Sequence, residues 1–402
     1  MLGRMNNTPS AATICSLRRT TVLDGHPRSE RCGPHLCGLS DAAADPQGFV
    51  PLVRRPHPGG AKKLRLTTVR KSGDYPVQPL PRGEPTVLAD VGGTNIRFAL
   101  VVDGVRGEIA YRQIADYASF ADAFGDFLSR HAMGIRIAAA EFAVAGVVDG
   151  ERCRLTNGGW TIDGRELRAK FGLARVGLVN DFEAIAYALP HLGKAGLCPL
   201  GNGRQPVAGA PMAVVGPGTG LGVAALVSNC GQRIVIASEA GHTTLPAAST
   251  REALIITHLR RRFGHVSAER ALSGPGLENL YLAIAALSKT SPPPRTATEI
   301  TKAAVAGICP TSTEALEMFC AMLGTVAGNV ALSFGARGGF FIAGGIVPHL
   351  GDFLARSQFR ERFEGKGRLR PYLEGIPVYV VLNTDAAFFG LQSLAAGSRA
   401  AN

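Results

Sequence analysis

The sequence predicts an α/β protein built from two related units, on three observations. Thr86 to Val102 reads as strand, turn, strand: two apolar, β-branched runs flank Asp90-Val-Gly-Gly-Thr-Asn95. The paired glycines supply the φ freedom of a tight hairpin and let a phosphate-sized group approach the backbone. The same arrangement recurs from Met212 to Val227 around Gly216-Pro-Gly-Thr-Gly220. Helical segments between strands supply the crossovers that a layered α/β architecture needs.

In chain order, strands are expected over 86–91, 95–103 and 107–115, the last as a third meander strand. A helix near 118–131, with apolar Phe120, Phe124, Phe127 and Leu128, precedes a buried strand over 137–144. A helix over 163–171, a short strand over 176–179 and a helix over 181–189 ended by Pro190 follow, which puts Asp181 at a strand-to-helix junction. The second unit reads as strands over 212–215 and 221–227, then helices near 250–263, 267–288 and 313–334. In the last of these, Leu316, Phe319, Cys320, Leu323, Val326, Ala327 and Val330 share one face, and Gly324, Gly328 and Ala331 permit close packing. A strand over 339–343 enters Gly344-Gly-Ile-Val-Pro348, and a strand over 378–382 and a helix around 386–395 close the chain.

Composition narrows the function classes. At 402 residues, with 46% hydrophobic and 18% charged residues, the chain suits two or three globular domains. Its longest uncharged span, between Arg204 and Arg233, is broken by Pro206, Pro211 and Pro217, so no membrane span is predicted. The formal net charge of +12 is uneven: residues 1–85 hold 13 Lys+Arg and 6 Asp+Glu, the remainder 30 and 25. A mildly basic body suits anionic small ligands and does not argue for a dedicated nucleic-acid binder. Eight cysteines without a C-x-x-C pair read as reduced cytosolic thiols, so a cytoplasmic protein is expected.

Residues 1–85, with runs such as Arg54-Arg-Pro-His-Pro-Gly-Gly60 and no sustained period, read as a disordered basic extension. Arg richness suits a mitochondrial-type targeting peptide, whereas Asp24, Glu30, Asp41, Asp45 and the absent amphipathic pattern count against one. A start downstream is the simpler explanation; both readings stand at this stage.

The first turn carries its own chemistry. Asp90, at the end of a strand, can hold Mg²⁺ directly or through water, while Thr94 and the N–H groups from Gly92 to Asn95 can donate to phosphate. Further motifs follow: Leu155-Thr-Asn157 with Trp160, Asn180-Asp181-Phe182, Gly216-Pro-Gly-Thr-Gly-Leu-Gly222, Glu239-Ala-Gly-His242, Gly264-His-Val-Ser-Ala-Glu-Arg-Ala-Leu-Ser-Gly-Pro-Gly-Leu-Glu-Asn-Leu-Tyr281 and Phe341-Ile-Ala-Gly-Gly-Ile-Val-Pro348. Taken together and in this order, from residue 86 to about 395, the chain resembles the bacterial glucokinase family of the sugar kinase, Hsp70 and actin superfamily.

The resemblance implies a two-domain actin-like ATPase (ribonuclease H-like) fold with a ligand cleft between the domains: 86–191 plus 383–402 as a small α/β domain, 192–382 as a large one. It implies transfer of the γ-phosphoryl of MgATP to the 6-hydroxyl of glucose, the entry step of glycolysis. By the same resemblance Asp181 is the general base that accepts the hydroxyl proton; a plain helix-capping aspartate is the competing explanation. Sugar contacts fall on Asn157, Asn180, Asp181, Glu239, His242 and Glu269, polar groups suited to reading hydroxyls. ATP contacts fall on Asp90, Val91, Gly92, Gly93, Thr94 and Asn95, on Gly218, Thr219 and Gly220, and, for adenosine, on Gly344 and Gly345; Asp90 holds Mg²⁺ through water. No Walker A sequence occurs. Glu239 and His242 invite a metal reading, but no third ligand is evident. Glucose and ATP are the expected partners, and the resemblance suggests a homodimer.

Two departures from the family pattern stand out. Ala240 replaces a more usual glycine and is asked to take glycine-like backbone angles, and Pro217 replaces a small residue. Two alternatives stay open: a kinase for another hexose, and a non-catalytic, sugar-responsive regulator with a DNA-binding arm. The cysteine-rich zinc motif of the related repressor and sugar kinase branch is absent.

Overall fold

Two open sheets carry the chain, and the strand order of the first is repeated in the second. The computed structural model describes residues 84–155, 159–201, 204–229 and 232–397, all within the unit formed by residues 61–402. The expected extension lies outside them, apart from Glu84 and Pro85, as does Asn157.

In the first sheet β1 (Thr86–Val91) and β2 (Asn95–Val102) form the expected antiparallel hairpin, with Asp90 directly opposite Arg97. Short strands β3 (Val105–Arg106) and β4 (Ala110–Gln113) both pair with β2. The expected strand over 107–115 is thus shortened to β4, and residues 114–116 form a 3-10 turn. On the other side of β1 lies β5 (Ala139–Val144), in parallel. The chain then makes a small sheet of β6 (Val148–Asp149), β7 (Arg152–Arg154) and β8 (Thr161–Asp163), and returns as β9 (Arg175–Asn180), parallel to β5.

Helix α1 (Phe120–His131) covers this sheet; Ser119 caps it by accepting from the Asp122 N–H. Its apolar face meets β2 and β5 in an aromatic cluster in which Phe98 stacks on Phe127 and Phe142 packs edge-on against Phe120, each pair 5.0 Å between centroids. Helix α2 (Gly164–Phe171), capped by Asp163, leads into β9, and α3 (Asp181–Ala188) leaves it.

In the second sheet β10 (Leu197–Pro199) is followed by the hairpin of β11 (Met212–Pro217) and β12 (Leu221–Asn229), then by the edge strand β13 (Gln232–Ser238). Helices α4 (Thr250–Phe263), α5 (Gly274–Leu287), α6 (Ala297–Val305) and α7 (Pro310–Phe334) come next. Strand β14 (Gly339–Ile342) then runs parallel to β11. Short helices α8 (Asp352–Arg356), α9 (Phe359–Glu364) and α10 (Arg370–Glu374) precede β15 (Val378–Val381), parallel to β14, and α11 (Ala386–Gly397) ends the described chain.

The orders β2-β1-β5-β9 and β12-β11-β14-β15 match: an antiparallel hairpin beside two parallel strands. The helix expected over 267–288 begins only at Gly274, because Ser273 caps α5 by accepting from the Gly276 N–H, and Ala268–Arg270 is a separate 3-10 turn. The small β6–β8 sheet, β13, α6 and the three short helices lay outside the sequence expectation. Helix α7 is the one described helix long and apolar enough to cross a membrane, yet 78% of its most apolar window is buried in this fold, where it forms the centre of the larger core. Helix α3 lies between β12 and α11, so it touches the second sheet while springing from the first.

Candidate active site

The carboxyl ends of the parallel strands and the turns of both hairpins converge on one cleft of about 1060 Å³. Ligands of open α/β sheets bind at that end of the strands, where chain direction leaves a crevice.

Asp90, at the end of β1, is held by Arg97: Arg97 Nε donates to Asp90 Oδ2 at 2.9 Å and Nη2 to the same oxygen. In the following turn the Gly92 N–H donates to Asn95 O at 3.0 Å, and Gly92 and Gly93 face the cleft. Val91 points into the core of the first sheet, while Thr94 and Asn95 are exposed and do not line the cleft.

At the end of β9, Asn180 caps α3: its Oδ1 accepts from the Phe182 N–H at 2.9 Å and its Nδ2 donates to Gly146 O at 3.1 Å. The cap is therefore Asn180, and Asp181, in the first turn, has its carboxylate on the cleft. Burial and the neighbouring charge of Asp90 push the Asp181 carboxyl up to about 6, although the backbone N–H of Phe182 donates to it at 3.0 Å. A carboxylate poised there at the start of a helix is ionised at neutral pH and basic enough to take a proton.

The second hairpin brings Gly218, Thr219 and Gly220 to the cleft, in a turn closed by the Gly218 N–H donating to Gly220 O at 2.8 Å. Gly344 follows β14 with φ +89°, and a Cβ there would lie 2.4 Å from Pro217 O, so only glycine fits. Cβ atoms built at Gly218 and Gly345 would meet nothing within 4 Å. Packing does not demand glycine at these two positions, and bare backbone there lets a ligand come close.

Glu239, His242 and Glu269 share the cleft with Asp181. His242 Nε2 lies 3.9 Å from Glu239 Oε2 and 4.0 Å from Glu269 Oε2. Glu269 sits on the 3-10 turn before α5 rather than on a helix, and its Oε2 accepts from the Leu221 N–H at 3.0 Å. In the Glu239–His242 loop the backbone demand falls on a different residue from the one expected. Ala240 does not take a positive φ, whereas a Cβ at Gly241 would lie 2.0 Å from Leu221 O.

Among the described residues no group of three or more His, Cys, Asp or Glu side chains could hold a metal ion. Asp90, a carboxylate on the cleft beside the glycine turns, is a donor of the kind Mg²⁺ takes when it binds through one or two carboxylates together with substrate phosphates and water.

Four contributors lie outside the sequence expectation. Arg97 was legible as the charge opposite Asp90 once the hairpin register was drawn. Gly146 follows β5 and receives Asn180; only the parallel pairing of Val144 with Asn180 reveals it. Asn383 and Thr384 reach the rim from the far end of the chain and carry no local signal.

Fold and cleft together define a two-domain sugar kinase of the actin-like ATPase class. A sequence model of the family described as Glucokinase matches residues 87–398, and the chain belongs to that family. It is 49% identical over 310 residues to a glucokinase of Paramagnetospirillum magneticum, an alignment covering 77% of this chain and 96% of the relative. The crystal structure of glucokinase from an Antarctic psychrotroph superposes with a TM-score of 0.72 at 36% identity, covering 78% of this chain and 99% of that one. A ROK family glucokinase from Streptomyces griseus, solved in complex with glucose and AMPPNP, shares the fold at 19% identity, with a TM-score of 0.52 and coverage of 77% and 98%.

Proposed function

We propose that the chain is a glucokinase that transfers the γ-phosphoryl of ATP to the 6-hydroxyl of glucose. The observation that carries this reading is that Asp181, a carboxylate with a raised pKa, shares one cleft with glycine turns from both sheets and with Glu239, His242 and Glu269.

Glucose binds with its hydroxyls to Asn157, Asn180, Asp181, Glu239, His242 and Glu269, a set of polar groups suited to reading several hydroxyls at once. Gly92–Gly93, Gly218–Gly220 and Gly344–Gly345 receive the nucleotide, the last pair on its adenosine side. Asp181 takes the proton of the 6-hydroxyl as its oxygen bonds to the γ-phosphorus and the bond to the β-phosphate oxygen breaks, releasing ADP. Such a base contributes about 10²–10⁴-fold to rate. Both Arg97 contacts fall on Oδ2 of Asp90, which leaves Oδ1 for a hydrated Mg²⁺ that would neutralise phosphate charge. Val91, Thr94 and Asn95 serve the turn through its backbone.

The same proposal includes a small domain of 86–191 with 383–402 and a large one of 192–382, supported by the packing of α11 on α3 and β1, together with a cytoplasmic homodimer. Asp181→Ala tests the mechanism: phosphorylation falls at least 10²-fold while calorimetry still detects glucose. Near-normal turnover in that variant would refute Asp181 as base. Comparing glucose with mannose, fructose and N-acetylated amino sugars decides between glucose and another preferred hexose.

A further inference from the structure

Phe182 follows the proposed base directly, yet its ring lies on the second sheet rather than the first. Gly216 and Gly222 are cross-strand partners in the β11–β12 hairpin. A Cβ at Gly222 would fall 1.9 Å from Phe182 Cδ2 and 2.2 Å from Cε2; one at Gly216 would fall 2.3 Å from Cζ and 2.5 Å from Cε1. The ring therefore bridges both glycines, in a slot that exists because two facing positions lack side chains. Two residues along the same hairpin, Gly218–Gly220 form the turn proposed to hold phosphate. On the other side Phe182 is tied to Asp181 by the chain and to the Asn180 cap by its own N–H.

Resting on the kinase reading, we infer that Phe182 is a positioning residue: seated in the Gly216–Gly222 slot, it fixes the spacing between Asp181 and the Gly218–Gly220 turn and shields Asp181 from water. The proposed base follows a strand of the first sheet and the Gly218–Gly220 turn belongs to the second, and an error of about 1 Å between reacting groups costs on the order of 10²-fold in rate. One aromatic contact spanning the two sheets, adjacent in sequence to the base and two residues from the turn, ties these positions together.

The test uses the full chain and three variants: Phe182→Leu, Gly222→Ala and the double variant Gly222→Ala/Phe182→Ala. Each is assayed for kcat, glucose KM, the pH profile of kcat and thermal unfolding. For Phe182→Leu we expect kcat to fall about 10–100-fold, glucose KM to change less than about threefold, and the acid limb of the kcat profile to move to lower pH. In Gly222→Ala the new methyl group displaces the ring, so kcat falls at least as far and the unfolding temperature drops; removing the ring in the double variant restores much of that temperature. Wild-type kcat and an unmoved pH profile in Phe182→Leu overturn the positioning role. An unfolding temperature in the double variant no higher than in Gly222→Ala overturns the slot. Absence of glucose 6-phosphate from the wild-type chain sinks the kinase reading and the positioning role with it, while the unfolding comparison still decides the slot.

Discussion

Asp90 and Arg97 face each other across the first hairpin, and Arg97 joins Asp90 to the last helix of the chain. Besides its two contacts to Asp90, Arg97 Nη1 donates to Thr384 O at 2.8 Å and lies 3.5 Å from Asp385 Oδ1. The Asp385 carboxylate is 2% exposed and also lies 3.5 Å from Arg106 Nη2. Both guanidinium groups lie over the Phe388 ring, at 5.4 Å.

Removing one member of such a buried network leaves the others uncompensated. Asp385→Ala is expected to lose about 3 kcal/mol of stability, read by denaturant unfolding, because two guanidinium groups lose their shared acceptor. Arg97→Lys cannot reproduce the fork that grips Asp90 and Thr384 O together, so kcat should fall and more Mg²⁺ should be needed for half-maximal rate. Unchanged stability in the first variant and an unchanged Mg²⁺ requirement in the second would separate this network from the site.

The Asp181 carboxyl, pushed up to about 6, sets a pH limb. The proposed base works only when ionised, so kcat/KM should fall about tenfold per pH unit below about 6, and Asp181→Asn should remove the limb along with the activity. The stability sign is the reverse. A carboxyl whose folded pKa is raised stabilises the fold below its unfolded value near 4, and that contribution is lost as pH rises through about 6. At pH 8 Asp181→Asn should therefore unfold at higher temperature than wild type, by up to about 2–3 kcal/mol in stability. A lower unfolding temperature would contradict the assigned burial.

The 239–242 loop offers a paired comparison. Gly241→Ala places a methyl group against Leu221 O and should raise glucose KM at least tenfold by shifting Glu239 and His242. Ala240→Gly restores the residue more usual in the family, yet Ala240 has no positive φ, so activity should stay within about twofold while up to about 1 kcal/mol of stability is lost. Equal damage from both substitutions would show that the loop tolerates neither.

Glu269 accepts from the Leu221 N–H and faces His242 across the cleft. Glu269→Gln keeps the acceptor for Leu221 and should raise glucose KM more than it lowers kcat; Glu269→Ala should also lower stability by about 1 kcal/mol. Steady-state kinetics on both variants checks the split.

Both glycine hairpins were readable because strand, turn and strand are local patterns, and Asn180-Asp181 stood out at the end of a buried run. What escaped has physical causes. The strands of the β6–β8 sheet are two or three residues long, too short for any period to show. Helix α6 announces itself by a capping box between Thr296 and Glu299, a signal that went unused. Helix α5 starts later than expected because Ser273-Gly-Pro275 supplies a cap and a first-turn proline, which mark a beginning rather than a helix interior. Arg97, Phe182 and Gly146 act through partners on neighbouring strands or on the other sheet, and a linear reading has no term for such pairs.

The most direct measurement is glucose 6-phosphate formation from glucose and MgATP, followed by a coupled assay with ADP quantified in parallel, for wild type and Asp181→Asn. The account predicts one glucose 6-phosphate per ADP from wild type and a loss of at least 10²-fold in the variant, with glucose still bound. No glucose 6-phosphate from wild type that binds glucose, or equal rates from both proteins, would contradict it.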